Sequence, residues 1–337
     1  MQDVPNIGVP TGKPIAHGGD LGDVRRRHPD APQPWIDLST GINPLPYPVA
    51  GLPADAWSRL PSREAEQTLL AAATRRYGCK LSQLVAAPGT QALIQVLPRL
   101  MPRSRVAIVG PTYAEHELNW RRHGHDVSVV TSLDVAAADI VVVVNPDNPT
   151  GRLSPKQALR DVAARLLIVD EAFIDLLPGD ASLAGDLPGN AVVLRSFGKT
   201  YGLAGLRLGF AIAHEPLARR LREDLGPWAV SGPALTIGAA ALADDAWLQT
   251  TATRLAGDAR RLDALLVSAG FTILGGTTLF RLASHPKAHD KVQDLAQRGI
   301  HVRAFGHQPA WLRFGLPAGD EEFRRLSAAL QVPQKVR

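Results

Sequence analysis

The chain has 337 residues, 45% of them hydrophobic and 20% charged, with a formal net charge of +5. That size and balance exclude a disordered chain and predict one large domain with a smaller one attached. Only seven of the 37 basic residues are lysine. Arginine keeps its charge and grips carboxylate or phosphate with two prongs, so the excess points to anionic small molecules.

Nucleic acid is the usual alternative partner of a basic protein, but the arginines are scattered, and the densest run, Arg25-Arg26-Arg27, reads as a solvated segment. The single cysteine, Cys79, excludes an internal disulfide framework and every multi-cysteine metal site. No signal-peptide pattern opens the sequence and no apolar run reaches membrane-spanning length, which predicts a reduced, cytoplasmic setting without a membrane partner. His116, His123 and His125 gather near one helix end and read as a surface cluster, so no metal is expected.

In chain order, residues 1–40 are rich in glycine and proline and read as an arm. A helical pattern runs from about residue 62 to Tyr77, and "VAAPGTQALIQVLPRL" reads as a loop opening a helix at Gly89-Thr90-Gln91. The short β-branched runs "RVAIV", "DVSVV", "DIVVVVNP", "LLIVDEAF", "AVVLRSF" and "LRLGFAIA" follow, separated by helix-like stretches. Such alternation predicts an α/β domain over 41–232 with a mostly parallel, buried sheet. From about Pro233 the texture changes to long Ala/Leu/Arg-rich helices ending at Ala269, then two or three strands and helices near 287–298 and 320–330. Residues 233–337 are therefore expected to form a smaller α+β domain. Ligands of such sheets sit beyond the carboxyl ends of the strands, where "NPDNPTG" (145–151), Asp170, Ser196, Lys199 and Gly89-Thr90 all fall.

Lys199, in "SFGKTYGLAGLRLGF", needs an explanation. "GKT" is not the end of a phosphate-binding P-loop, which requires glycine where Val193 stands, and "GLAGLRLG" is not a dinucleotide fingerprint. A lysine kept reactive can instead form a Schiff base with an aldehyde. Pyridoxal phosphate (PLP) would need, besides the lysine, a carboxylate for its pyridine nitrogen, a donor for its ring oxygen and a phosphate cradle of hydroxyl, arginine and helix N-terminus. Each residue type occurs at a strand end or a helix start.

This set resembles the fold-type-I PLP enzymes of the aminotransferase class I/II family over nearly the whole chain. The resemblance implies that Lys199 is the Schiff-base residue, that Ser196 and Arg207 bind the cofactor phosphate, and that Asn148 bonds the ring oxygen. It implies that Asp170 pairs with the pyridine nitrogen, that Gly89, Thr90 and Gln91 hold the phosphate, and that Tyr113 of "GPTYAEH" lies on the ring. Arg313 of "WLRFGLP" corresponds to the arginine that holds the substrate carboxylate. Taken singly, Asp170 could be a helix cap, Asn148 a turn former, Arg207 a surface charge, Tyr113 core and Arg313 a structural ion pair. Two positions depart from the common pattern: Phe173 stands where a tyrosine often donates to the ring oxygen, and Leu60 where a tyrosine often reaches the neighbouring subunit's cofactor.

Within the family, "HGGDLGDVRRRHPD", "WIDLSTGINPLPYP" and "GIHVRAFGHQPAWLRFGLP" are similar to the threonine-phosphate decarboxylase branch of cobalamin biosynthesis, where phenylalanine at position 173 is expected. The resemblance implies decarboxylation of L-threonine O-3-phosphate to aminopropanol phosphate by a homodimer. His17, Gly18, Asn43, Arg152, Arg303 and Arg313 are then the candidates for holding substrate. Two other readings stay open: an aminotransferase acting on histidinol phosphate, and a non-catalytic relative supporting corrinoid assembly. "HGG" could equally be a flexible arm.

Overall fold

A computed structural model describes residues 17–49, 51–135 and 137–331, so residues 1–16 of the expected arm lie outside the described residues. Twelve strands form among them: β1 Ile36–Leu38, β2 Leu84–Ala87, β3 Arg105–Val109, β4 Asp126–Val130, β5 Ile140–Val144, β6 Leu166–Asp170, β7 Ala191–Ser196, β8 Gly209–Ala213, β9 Thr272–Thr277, β10 Phe280–Ser284, β11 Ile300–Phe305 and β12 Gln308–Gly315. Seven of them make one sheet in the order β2-β8-β7-β6-β5-β3-β4, in which β8 alone runs against its neighbours.

Both faces of this sheet are covered, which is why its strands read as unbroken apolar runs. Val141 and Val143 of β5 face the helices Arg63–Tyr77 and Gly232–Ala243, while Ile140 and Val142 face Thr90–Leu100 and Glu215–Leu225. The helix Arg63–Tyr77 starts where the Ser62 hydroxyl accepts from Ala65 N at 3.1 Å, and it stops at Gly78, whose φ of 66° lies in the left-handed region that favours glycine.

The second sheet has the order β1-β11-β12-β10-β9. It packs with the helices Asp245–Ser268, Ala288–Gln297 and Asp320–Ala329 around Leu262, Phe280, Phe314 and Phe323. Packing divides the chain at different places from sequence texture. Ile36–Leu38, inside the expected arm, pairs in parallel with Ile300–Val302 of the small sheet. The helix Gly232–Ala243, expected in the small domain, buries Leu235 and Ala241 in the large core, so the small unit's packing begins with the helix at Asp245. Beyond residue 270 there are four strands instead of two or three, because β9 carries Gly275 and Gly276, which mask a strand signal.

Those glycines serve a close backbone approach. A Cβ on Gly275 would lie 2.2 Å from the Thr150 carbonyl oxygen, and one on Gly151 would lie 2.1 Å from the Gly276 carbonyl oxygen. The small sheet is thereby seated directly on the loop that follows β5. Phe173, three residues beyond β6, joins the small domain's core and meets Phe280 edge-on at 5.1 Å. These two contacts set the small domain against the carboxyl ends of the large sheet.

Candidate active site

The carboxyl ends of the parallel strands converge on a cavity of about 170 Å³. Asp170 closes β6, Ser196 closes β7 with Lys199 one helical turn further on, and Gly89 follows β2. Tyr113 follows β3, Asn148 follows β5, and Arg207 precedes β8. All seven, with Thr90 and Gln91, line this inner cavity. A second cavity of about 440 Å³ opens outward from it, sharing Lys199, Asn148, Tyr113 and Phe173 and adding His17, Arg303, His307 and Arg313.

Asp170 is the one carboxylate lining the inner cavity among the described residues and is almost fully buried. Its Oδ1 accepts from Ala172 N at 3.1 Å, and its Oδ2 meets His116 Nε2 at 3.0 Å. Buried carboxylates require such partners. His116 is itself buried, which corrects the expected surface cluster. His125 is also buried, bonding Ser104 N at 3.2 Å and the Pro98 carbonyl at 2.9 Å, and His123 is exposed, so the three histidines do not form one group. Spacing alone hid this. Tyr113 and His116 are three residues apart, which brings both to the same face of one helix turn.

Lys199 sits in the short helix Phe197–Thr200, its Nζ 5.8 Å from the centre of the Phe173 ring. Burial is the main cause that pushes its amine down to about 8, and the Arg313 guanidinium adds to the shift while Asp170 opposes it. A lysine so placed carries a sizeable fraction of neutral, nucleophilic amine near neutral pH.

At the far end of the inner cavity, Gly89 presses on Arg207. A Cβ there would lie 2.7 Å from Arg207 Nη2, and the φ of 83° also requires glycine. A Cβ on Gly209 would lie 2.6 Å from Thr90 N. The helix Thr90–Leu100 therefore starts with its N–H groups close to a guanidinium and to Ser196. This cradle, a carboxylate at one end and a lysine between them are the donor set PLP requires, and the residues fit it. Gln91 differs from expectation in detail, since its side chain donates to Glu115 Oε2 at 2.8 Å and accepts from the Tyr113 hydroxyl at 3.2 Å. Burial is the main cause that pushes this hydroxyl up to about 12, and Glu115 adds to it.

In the outer cavity, Arg303 of β11 and Arg313 of β12 stand directly opposite each other in an antiparallel pair. Arg313 is buried, donates from Nη1 to Asn148 Oδ1 and from Nη2 to the Ser39 carbonyl at 2.6 Å, and forms no ion pair among the described residues. Its Nε is buried with no hydrogen-bond partner among those residues. Burial first, then the neighbouring Arg303, pushes Arg313 down to about 10. Ser39 also fixes the glycine pair: its hydroxyl accepts from Gly19 N at 2.8 Å, and a Cβ on Gly18 would lie 2.3 Å from its carbonyl oxygen.

Two candidates lie elsewhere. Asn43 is buried, but its amide donates to the Thr200 carbonyl at 2.9 Å and accepts from Arg254 Nη2 at 2.7 Å. Its groups are committed to bracing the Lys199 helix, a signal that only distant residues 200 and 254 could supply. Arg152 is exposed, donates to the Thr131 carbonyl at 3.4 Å and borders a separate hollow beside Gly275 and Arg281.

Comparison with known proteins agrees with this arrangement. The family model for aminotransferase class I and II matches residues 54–329. A threonine-phosphate decarboxylase from a Sinorhizobium species is 45% identical over 331 residues, covering 94% of this chain and 98% of that protein. A threonine-phosphate decarboxylase from Pseudomonas aeruginosa is 41% identical over 326 residues, covering 94% of this chain and 97% of that protein. Among solved structures, histidinol-phosphate aminotransferase from Sinorhizobium meliloti in complex with pyridoxal-5'-phosphate superposes with a TM-score of 0.75 at 22% identity, covering 91% of this chain and 92% of that one, a likeness of fold.

Proposed function

Because the chain belongs to the aminotransferase class I and II family, we propose that it is a PLP-dependent lyase that decarboxylates L-threonine O-3-phosphate to aminopropanol phosphate, a step serving corrinoid assembly. The observation that carries this reading is the Arg303–Arg313 pair. Two guanidinium groups on one wall of the cavity suit a substrate bearing both a carboxylate and a phosphate. His17, Lys199 and His307 line the same cavity, and no carboxylate lines it among the described residues. The 45% and 41% identity to two threonine-phosphate decarboxylases supports the same substrate.

When bound, PLP supplies an electron sink for the pair released as a bond to Cα breaks. Asp170, held by His116 and by Ala172 N, would keep a proton on the pyridine nitrogen. Ser196, Arg207, Gly89, Thr90 and Gln91 would hold the phosphate end of the cofactor, with Tyr113 against the ring and Asn148 toward the ring oxygen. Arg303, Arg313 and His17, with Gly18, would anchor the two anionic groups of the substrate and so decide which bond stands perpendicular to the ring. Those residues would turn the Cα–carboxylate bond toward cleavage, with carbon dioxide as the leaving group. Lys199, whose amine lies between the two cavities, would return a proton to Cα. Phe173 places an apolar ring where a hydroxyl would otherwise sit and closes the wall between domains.

The reading extends to a homodimer. Leu45, Val49, Trp57 and Leu60 are all more than two-fifths exposed within one short stretch, apolar surface that a second subunit would cover. Among the described residues, no helix is long and apolar enough to cross a membrane; we place the enzyme in the cytoplasm. The deciding experiment incubates PLP-loaded protein with L-threonine O-3-phosphate, with and without 2-oxoglutarate, and reads products by mass spectrometry. Aminopropanol phosphate without the keto acid is expected. Glutamate formed only with the keto acid would make the protein an aminotransferase.

A further inference from the structure

Glu115 occupies the first turn of the helix Ala114–Arg122, immediately behind the wall of the outer cavity, and is buried. A buried carboxylate is costly unless its oxygens are satisfied. Here Oε2 accepts from Gln91 Nε2 at 2.8 Å and from Asn119 Nδ2 at 3.1 Å, and Oε1 meets His17 Nε2 at 3.0 Å. Gln91 and Asn119 are neutral amides, so among the described residues His17 is the one ionisable group in direct contact with the carboxylate. The position also suits a negative charge, since the first turn of a helix favours one.

Among the described residues, little else holds His17. It belongs to no helix or strand, and its side chain is about half exposed. The adjoining anchor is the backbone bond from Gly19 N to the Ser39 hydroxyl. A carboxylate oxygen 3.0 Å from Nε2 restrains the position of the ring. The ring so fixed lines the outer cavity and stands 6.2 Å from that of Tyr113. Tyr113 in turn donates to Gln91, so hydrogen bonds join Tyr113, Gln91 and Glu115, and the 3.0 Å contact of Glu115 with His17 links them to the coil segment.

We propose that Glu115 is a positioning residue that holds the imidazole of His17 over the outer cavity, where it meets the phosphate of an amino acid phosphate. The proposal rests on the reading above that His17 contacts that phosphate. Glu115 itself does not touch the substrate. Its contribution is to fix a histidine that a coil segment cannot fix alone, and to join that segment to the residue lying against the cofactor ring.

A double-mutant cycle of His17→Ala and Glu115→Gln tests this, with two readouts on PLP-loaded protein: KM and kcat for L-threonine O-3-phosphate, and the Kd of inorganic phosphate by calorimetry. Each single change should raise KM and Kd by about tenfold with kcat nearly constant, and the pair should cost no more than either alone. Glu115→Asp retains the charge on a shorter arm that falls short of His17, and it should reproduce the loss even if Glu115→Gln handles PLP poorly. Unchanged KM and Kd in both Glu115 variants, or losses multiplying to about a hundredfold in the pair, would overturn the positioning role. A silent His17→Ala would overturn the phosphate contact and the proposal together. Failure of the parent protein to turn over threonine phosphate, with the non-additive pattern intact for inorganic phosphate, would remove the substrate reading and leave Glu115 where the structure puts it.

Discussion

The inner and outer cavities meet at Lys199, Asn148, Tyr113 and Phe173, yet they are built in different ways. The inner one is assembled from strand ends and helix starts of a single sheet, so each group is aimed by backbone already fixed in the ladder. Its one carboxylate has partners on both oxygens. The outer one is assembled from a coil segment, a loop and a hairpin of the small sheet, and its arginines stand side by side with a buried Nε that has no partner among the described residues. The first is preorganised; the second sets two arginines opposite each other on paired strands. Substitutions in the inner cavity should therefore abolish cofactor chemistry, and those in the outer cavity should weaken substrate binding.

Lys199→Ala gives the largest expected effect. Borohydride should trap no PLP on the variant by mass spectrometry, and turnover should fall by about a thousandfold or more. A trapped adduct on another lysine would break the comparison at its root. Asp170→Ala comes next, with turnover down by about a hundredfold or more as the ring loses its partner. The same change strands His116 in the interior, so the melting temperature should drop with a loss of about 1–3 kcal/mol. His116→Gln should lie between this variant and the parent in both measurements.

Arg313→Gln sharpens the other side. KM should rise by about tenfold to a hundredfold because a buried charge-assisted contact to the substrate disappears. It should also move the pH dependence of PLP capture by the cofactor-free protein. Capture needs the neutral amine of Lys199, so its rate should climb with pH around a midpoint near 8 in the parent. Arg313 contributes to that low value, and its removal should shift the midpoint upward. A midpoint that stays put would mean that Arg313 adds nothing to the effect of burial. Smaller still is Phe173→Tyr, which should leave PLP retention intact, because the ring keeps its packing against Phe280. The smallest effect belongs to Arg152→Ala, whose turnover should stay within about twofold, as expected for an exposed side chain away from both cavities.

Sequence reading reached the inner cavity more fully than the outer one. Lys199, Ser196, Asp170, Asn148 and Gly89 follow strands whose apolar runs are continuous, so their place at the carboxyl edge could be read from the chain. His116 could not. Its partner lies 54 residues away, and its neighbours His123 and His125 suggested a cluster that folding separates. Glu115 was hidden for the same reason, because only the turn geometry and a contact across 24 residues bring it to Gln91. The partners of Asn43 were not legible either, since its amide is drawn to residues 157 and 211 positions further on.

By itself the sequence determined the elements that depend on local periodicity and end signals: the parallel core strands, the capped helix Arg63–Tyr77, and the reactive lysine among small residues. It also determined the chemistry available at each strand end. Tertiary structure alone decided which distant groups share a cavity. It set Ile36–Leu38 in the small sheet, paired Arg303 with Arg313, gave Asp170 a histidine and gave His17 a carboxylate. The division has a physical cause. Local backbone preference and burial periodicity are written in neighbouring residues, whereas charge pairing and desolvation are fixed only when separate segments exclude water from one another.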